Sequence, residues 1–312
     1  MKKLICVLLA LVLAVLSLSG CARRNRYNNS SVDSEPISSA AVSQAGMEQA
    51  RDLLLCVDLD NDALEIAFLA RLEEWGCVND SNIYYSESEW PQGGAGVVIT
   101  DGTVALQGDV TVVYAGDGKP GSGISVASAA SLNDLIDLAL ESAPELKTLG
   151  VLYPADSETA AAQVQAAESY CREKEITLEQ VTVNSTEEIS QSAGELCARV
   201  DALLTPRDAL LFGSQGATVI GQAVSAGNIP WYTQDVSIVK YGAVASVGPD
   251  YEALGSAAAD LCVELLLGRD AAQVSGRTVN EKKITVNQQV LATLNGIKLP
   301  DEVMEIADLI AE

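Results

Sequence analysis

Histidine is absent from this 312-residue chain. Its absence excludes Ser-His-Asp and Cys-His nucleophile chemistry and removes the commonest transition-metal ligand. Basic residues are scarce: 19 Lys+Arg stand against 43 Asp+Glu, for a formal charge of −24. A field of that sign repels phosphates, so no nucleic-acid partner is expected. Aromatic residues make up only 4%. The apolar fraction of 48% is still ample for a packed core, which excludes global disorder. Length suggests about two domains.

The first 21 residues read MKKLICVLLALVLAVLSLSGC. Two lysines precede an uncharged apolar run over 4–18 that, at about 1.5 Å per residue, falls short of the ~30 Å needed to cross a bilayer. Charged start, apolar middle and small residues before a cut are the layout of a signal peptide, expected over 1–20. Leu18-Ser19-Gly20-Cys21 resembles the bacterial lipobox, which implies lipidation of Cys21. Removing 1–20 takes away Lys2 and Lys3 and no acid, leaving 17 basic and 43 acidic residues, or −26. A body so acidic gains nothing from an anionic membrane surface, and a covalent lipid supplies the attachment. The Ser-, Asn- and Ala-rich stretch that follows, within 21–48, reads as a flexible linker. The expected location is therefore the extracytoplasmic face of the cell membrane.

Cys56, Cys77, Cys171, Cys197 and Cys262 remain after such processing. No CxxC and no metal-ligand spacing occurs among them, and an odd count forbids complete pairing. They read as buried thiols.

From residue 52 onward short apolar runs alternate with amphipathic stretches. Strands are expected at 53–57, 83–85, 97–100, 110–114, 148–153, 177–183, 202–204, 229–232, 243–247 and 283–286. Helices are expected at 62–75, 132–142, 158–174, 186–199, 210–226, 251–267 and 301–310. Strand and helix in repeated alternation predict α/β architecture: two parallel-sheet, Rossmann-like lobes with helices on both faces. Ligands of such folds bind at the carboxyl ends of strands, which between two lobes is a cleft.

Several of these loops resemble a known family. Lys147-Thr148-Leu149-Gly150-Val151-Leu152-Tyr153, Val200-Asp201-Ala202-Leu203-Leu204-Thr205-Pro206-Arg207-Asp208, Ile229-Pro230 with Asp235 and Val239-Lys240-Tyr241-Gly242-Ala243, Gly248-Pro249-Asp250-Tyr251, and Leu299-Pro300-Asp301-Glu302 occur in order. Together they are similar to segments of the ABC-transporter substrate-binding lipoproteins that include tryptophan and other aromatic amino-acid binders. The resemblance is strong over 147–312 and weak over 50–146. It implies the type I periplasmic-binding fold, hinge closure on a small solute, docking of the monomer on a membrane ABC permease, and no enzymatic activity. It further implies a first lobe of 49–147 with about 249–280, a second of 148–248, and a C-terminal strand and helices over 281–312 whose lobe is left open.

Carried over by position, Asp208 and Asp235 follow second-lobe strands and face the cleft, where a carboxylate accepts charge-assisted hydrogen bonds from an amino-acid ammonium. The alternative for each is a helix N-cap or a solvated loop. Thr100, Gly102 and Thr103 form a loop whose hydroxyl and amides suit a ligand carboxylate. Tyr153 and Thr159 are the remaining expected ligand contacts, with Tyr114 and Tyr232 as further aromatic candidates beside ordinary packing roles. The chain departs from the family at Arg207 and Ala209, where polar residues are usual, and in a first lobe shortened at 86–96 and after Thr103. That shortening motivates a second reading, a sensor or scaffold lipoprotein without uptake.

Other motifs carry little. Gly116-Asp117-Gly118-Lys119-Pro120-Gly121 spells a dinucleotide fingerprint, but Pro120-Gly121 reads as a turn where a helix is required. Asp58-Leu59-Asp60-Asn61-Asp62 opens like a calcium loop but has Ala63 at the required glycine. No metal, cofactor or catalytic residue is expected.

Overall fold

Two separate sheets form in the computed structural model, which describes residues 55–76, 83–84, 96–102, 110–116 and 123–311. The expected signal peptide, Cys21 and linker, with Cys77, Thr103 and residues 86–95 of the shortened segment, lie outside the described residues.

The first sheet contains β1 (Leu55–Asp58), β2 (Ile83–Tyr84), β3 (Val97–Thr100), β4 (Thr111–Ala115), β5 (Ile124–Ser128) and β11 (Arg277–Val279). Their order is β11-β5-β4-β3-β1-β2, and every pairing is parallel. The second contains β6 (Thr148–Pro154), β7 (Thr177–Val183), β8 (Ala202–Thr205), β9 (Trp231–Thr233), β10 (Ala245–Pro249), β12 (Lys282–Asn287) and β13 (Asp308–Ile310), in the order β13-β12-β10-β9-β8-β6-β7. One pairing departs from the expected parallel arrangement: β10 and β12 are antiparallel. The chain leaves the first sheet at the carboxyl end of β11 and, two residues later, enters the second sheet from its carboxyl edge. A strand entering there must run backwards.

Local chemistry sets the helices. In α1 (Asp62–Trp75), the Asn61 side chain caps the first turn and Gly76, at φ 69°, closes the last. Leu64, Phe68, Leu72 and Trp75 form its buried stripe. That stripe meets α7 (Tyr251–Leu266), capped by Asp250, whose residues 257–259 are alanines. Gly255 makes this approach possible: a Cβ there would lie 2.4 Å from the Leu64 carbonyl oxygen. Asp260 ties the pair further, accepting from Arg71 Nε at 2.7 Å and Trp75 Nε1 at 2.6 Å.

The second sheet is covered on both faces. α2 (Leu132–Ser142) and α3 (Glu158–Glu173) pack on one, and α4 (Thr186–Cys197) with α6 (Ser214–Gly227) on the other. Thus α2, given to the first lobe by the sequence reading, packs against Leu149, Val151 and Leu204 of the second sheet. Its apolar face of Leu132, Leu135, Ile136 and Ala139 leaves water there, where each fully buried leucine contributes about 1.5–3 kcal/mol. The C-terminal strand β12 and edge strand β13 also join the second sheet. The helix expected over 301–310 stops at Ile306, because residues 308–310 pair with β12. A single helix expected over 210–226 is two: α5 (Ala209–Phe212) and α6, broken at Gly213, whose ψ of 143° is extended. Short helix α8 (Gln288–Thr293) and α9 (Asp301–Ile306) complete the chain. Among the described residues no helix is long and apolar enough to cross a membrane.

Three crossings connect the sheets, at 129–131, 249–250 and 280–281. Ala129 N–H donates to the Val279 carbonyl at 2.8 Å, so two of them are joined by backbone.

Candidate ligand-binding cleft

A cavity of 430 Å³ opens between the carboxyl ends of the two sheets. From the first side it is lined by Asn61 and Leu64 after β1, Asp101 after β3, and Ala115 and Gly116 at the end of β4. From the second come Arg207, Asp208 and Ala209 after β8, while Tyr251, at the start of α7, lines it too and packs against the first-sheet core. Its size falls within the ~300–1,000 Å³ usual for small-molecule sites. A larger hollow of 760 Å³ beside Lys240, Tyr241 and Leu294 is built by second-sheet elements alone and touches none of the predicted site residues.

The first-sheet wall is a hydrogen-bonded frame. Thr100 is fully buried; its hydroxyl donates to Asp58 Oδ2 at 3.0 Å and accepts from Gly102 N–H at 3.0 Å. Asp101 accepts from the backbone N–H groups of Asp60 and Asn61, both at 3.0 Å. Thr100 therefore holds the loop in shape, and Asp101, unremarked in the sequence, reaches the cavity. Asp58 and Asn61, which open like a calcium loop, serve this frame and the α1 cap instead. Glu65 nearby has its carboxyl raised above the ordinary range, by burial first and then by Asp62 and Asp101.

On the other wall both predicted aspartates are caps. Asp208 Oδ1 accepts from Leu210 N–H at 2.9 Å and starts α5. Asp235 Oδ1 accepts from Ser237 N–H at 2.7 Å and starts the 3₁₀ turn Val236–Tyr241. Asp208 also lines the cavity, and Asp235 reaches it through Arg207, whose Nε lies 3.5 Å from Asp235 Oδ2. The Arg207 backbone N–H is pinned to Gln234 Oε1 at 3.1 Å, and its guanidinium carbon sits 5.3 Å from the centre of the Tyr251 ring. Arg207 is the only cation among the described lining residues. The sequence marked it as a departure from the family without giving it a role; its place beside Asp208 after a strand was the available signal.

Thr100, Gly102 and Asp235 themselves do not line this cavity, and neither do the remaining candidates. Tyr153 is half-buried at the end of β6 and packs against the second-sheet core, while Thr159 is exposed on α3. Tyr232 is fully buried, its hydroxyl bonded to that of Ser142, with its phenol pushed up to about 12 chiefly by burial. It is a core residue. The ring of Tyr114 lies against Gly123, where a Cβ would come within 2.7 Å of Cε2. After Gly116 the next described element is strand β5, not the helix a dinucleotide loop requires. Cys56, Cys171, Cys197 and Cys262 are buried free thiols. No group of three or more acidic or cysteine side chains able to hold a metal occurs among the described residues.

Two α/β units meeting at a cleft of capping carboxylates, one arginine and an aromatic ring have the build of a solute-binding protein. The chain belongs to the ABC transporter substrate binding protein family, whose model matches residues 95–310. That class binds substrates outside the cytoplasm and is not enzymatic. A tyrosine-binding protein of Clostridioides difficile (strain R20291) is 27% identical over 182 residues, 58% of this chain and 52% of that protein. The chain thus matches about half the length of that relative. Among solved structures, a conserved domain protein from Vibrio cholerae O1 biovar eltor superposes with a TM-score of 0.68 at 16% identity, covering 82% of this chain and 99% of that one. The ABC domain in complex with L-Trp from Streptococcus pneumonia gives 0.65 at 21% identity, covering 83% and 100%. These likenesses establish the type I periplasmic-binding fold.

Proposed function

We propose that this protein binds an aromatic α-amino acid in the 430 Å³ cleft and delivers it, as a monomer, to an ABC permease in the membrane. The observation that carries this reading is the convergence of Asp208, Arg207 and Tyr251 on one cavity, in a chain of this family whose relative is a tyrosine-binding protein. Asp208 and Asp235 offer carboxylates to the ammonium, Thr100 and Gly102 shape the opposite loop, and Tyr153 and Thr159 stand on second-sheet elements at the same carboxyl edge. Closure brings the walls together because a ligand touching both favours the closed form. A signal peptide over 1–20 exports the protein and is removed, and lipid on Cys21 holds it at the extracytoplasmic face, with 21–48 as the leash. The fold divides functionally into the two sheets with their covering helices, α2 counted with the second.

A thermal-shift screen over the amino acids tests the reading. A ligand at 100 times its dissociation constant stabilises by about 2.7 kcal/mol, a shift of several degrees. Absence of any shift across the panel overturns the assignment. Metabolic labelling with a fatty acid, lost on Cys21→Ala, tests the anchor; labelling that survives the substitution overturns it.

A further inference from the structure

The lining of the cleft is unbalanced in charge. Two carboxylates line the 430 Å³ cavity, Asp101 after β3 of the first sheet and Asp208 after β8 of the second, against the single cation Arg207. That arginine is already engaged, its Nε 3.5 Å from Asp235 Oδ2. Among the described residues neither Asp101 nor Asp208 is paired with a cation. Both are instead held by backbone. Asp101 takes one N–H on each oxygen, from Asp60 and Asn61 at 3.0 Å, and Asp208 Oδ1 takes that of Leu210 at 2.9 Å. A carboxylate has about four acceptor sites, so each keeps capacity for a further donor. Both residues are half-buried, where an uncompensated charge is more costly than in open water.

We infer that Asp101 is a ligand-binding residue, and that Asp101 and Asp208 take the ligand's ammonium from opposite walls. This rests on the amino-acid reading above and adds to it the partner on the first wall. An ammonium carries three donors, enough to reach both carboxylates. Without ligand, two like charges stand across the cleft and oppose its closing. The repulsion is weak while the cleft is wide and wet, and it grows as the walls approach and water leaves. An ammonium between them turns that repulsion into attraction. Asp208 and Asp235 both follow strands of the second sheet, so between themselves they cannot join the walls. Asp101 supplies the missing span, and closure becomes conditional on the cation. An acid without the ammonium would add a third negative charge and is rejected, whereas an amine without the carboxylate keeps the bridging contact.

The test is titration calorimetry of the intact protein with L-tyrosine and L-tryptophan, with tyramine and tryptamine, which lack the carboxylate, and with indole-3-propionate, which lacks the ammonium. The wild type is expected to bind its ammonium-bearing ligands about 10- to 100-fold more tightly than the acid, the span of a lost charge-assisted bond. Asp101→Asn is expected to weaken those ligands about tenfold and leave the acid unchanged or improved, so the preference shrinks. A merely structural role for Asp101, through the Asp60 and Asn61 amides, would weaken both kinds alike and leave the preference as it was. X-ray scattering of the wild type gives a second reading, which carries the test if ligand-free melting shows that Asp101→Asn does not fold. Tryptamine or tyramine should compact the protein and indole-3-propionate should not. An undiminished preference in Asp101→Asn, or equal compaction by the acid, overturns this inference alone. Binding of an amine but of no amino acid overturns the amino-acid reading and supports the bridge; binding of neither overturns both.

Discussion

Lys282 Nζ lies 2.5 Å from Asp134 Oδ1, and the two side chains are only 15% and 16% exposed. Lys282 opens β12 just past the 280–281 crossing, and Asp134 sits in the first turn of α2 just past the 129–131 crossing. The other Asp134 oxygen accepts from Ser131 N–H at 2.8 Å and from its hydroxyl at 3.0 Å, forming the capping box of α2. One carboxylate thus ties two of the three crossings to each other. Asp134→Ala is expected to lower stability by about 2 kcal/mol, through a lost cap and a lysine left half-buried. Urea denaturation measures it, and an unchanged midpoint would mean the crossings are held without this pair.

A second buried charge lies away from the cleft. Glu264 takes Arg277 on one oxygen and Arg269 on the other, and Arg277 also donates to the Ala257 carbonyl at 3.1 Å. The Glu264 and Arg277 side chains are 3% and 4% exposed. Removing one partner strands the other, so Glu264→Ala is expected to cost about 3–5 kcal/mol. Calorimetric unfolding should register it as one of the largest losses from a single surface-distant substitution.

Burial pushes the thiols of Cys56, Cys171 and Cys197 up from 9.0 to about 11, and that of Cys262 further in the same direction. The Tyr232 phenol rises from 10.0 to about 12. Each group holds its proton longer when folded. Their contribution to stability is therefore complete below the unfolded values and is lost as pH climbs through the folded ones, from about 9 to 12. Stability should fall progressively across that alkaline window. At pH 8 these four thiols should be inert to a disulfide reagent in the native protein and react on unfolding; rapid native reaction at any of them would contradict the burial.

Two glycines predict opposite signs. A Cβ on Gly255 meets the Leu64 carbonyl oxygen at 2.4 Å and Phe68 N at 2.9 Å, both backbone atoms that cannot swing aside. Gly255→Ala should cost about 1–3 kcal/mol by forcing α1 and α7 apart. Nothing lies within 4 Å of a Cβ on Gly194, inside α4. Gly194→Ala should stabilise by about 0.5–1 kcal/mol, since alanine loses less backbone freedom in a helix. Melting temperatures of the two variants compare them directly.

Much of the fold is legible from local pattern. The stripe of Leu64, Phe68, Leu72 and Trp75 between Asn61 and Gly76 specifies α1 to the residue, because period, cap and left-handed stop agree. Short or edge strands escape. β5, β11 and β13 are three to five residues long and acquire strand conformation only by pairing with neighbours distant in sequence. The site is half legible. β3 ends on the expected Thr100, and the loops after β8 and β9 carry Asp208 and Asp235, but periodicity does not distinguish a cap from a ligand contact. Asp208 and Asp235 are both caps, and of the two only Asp208 lines the cavity. Tyr232 looks equally suited to a ligand until its hydroxyl is found against Ser142 in the core.

The sequence by itself determines the chemical class. Lacking histidine and carrying −24, with strands and helices alternating over most of its length, the chain commits to α/β lobes that work by carboxylates, amides and aromatic faces. Those features are properties of composition and of neighbours within a few positions, so they need no tertiary information. Which of those groups meet is decided only in three dimensions. Arg207 and Tyr251 stand 44 positions apart in the chain, and their approach to 5.3 Å depends on three crossings that turn the carboxyl ends of two sheets toward one another. Contact between residues that far apart is set by the packing of whole elements, and no local pattern encodes it.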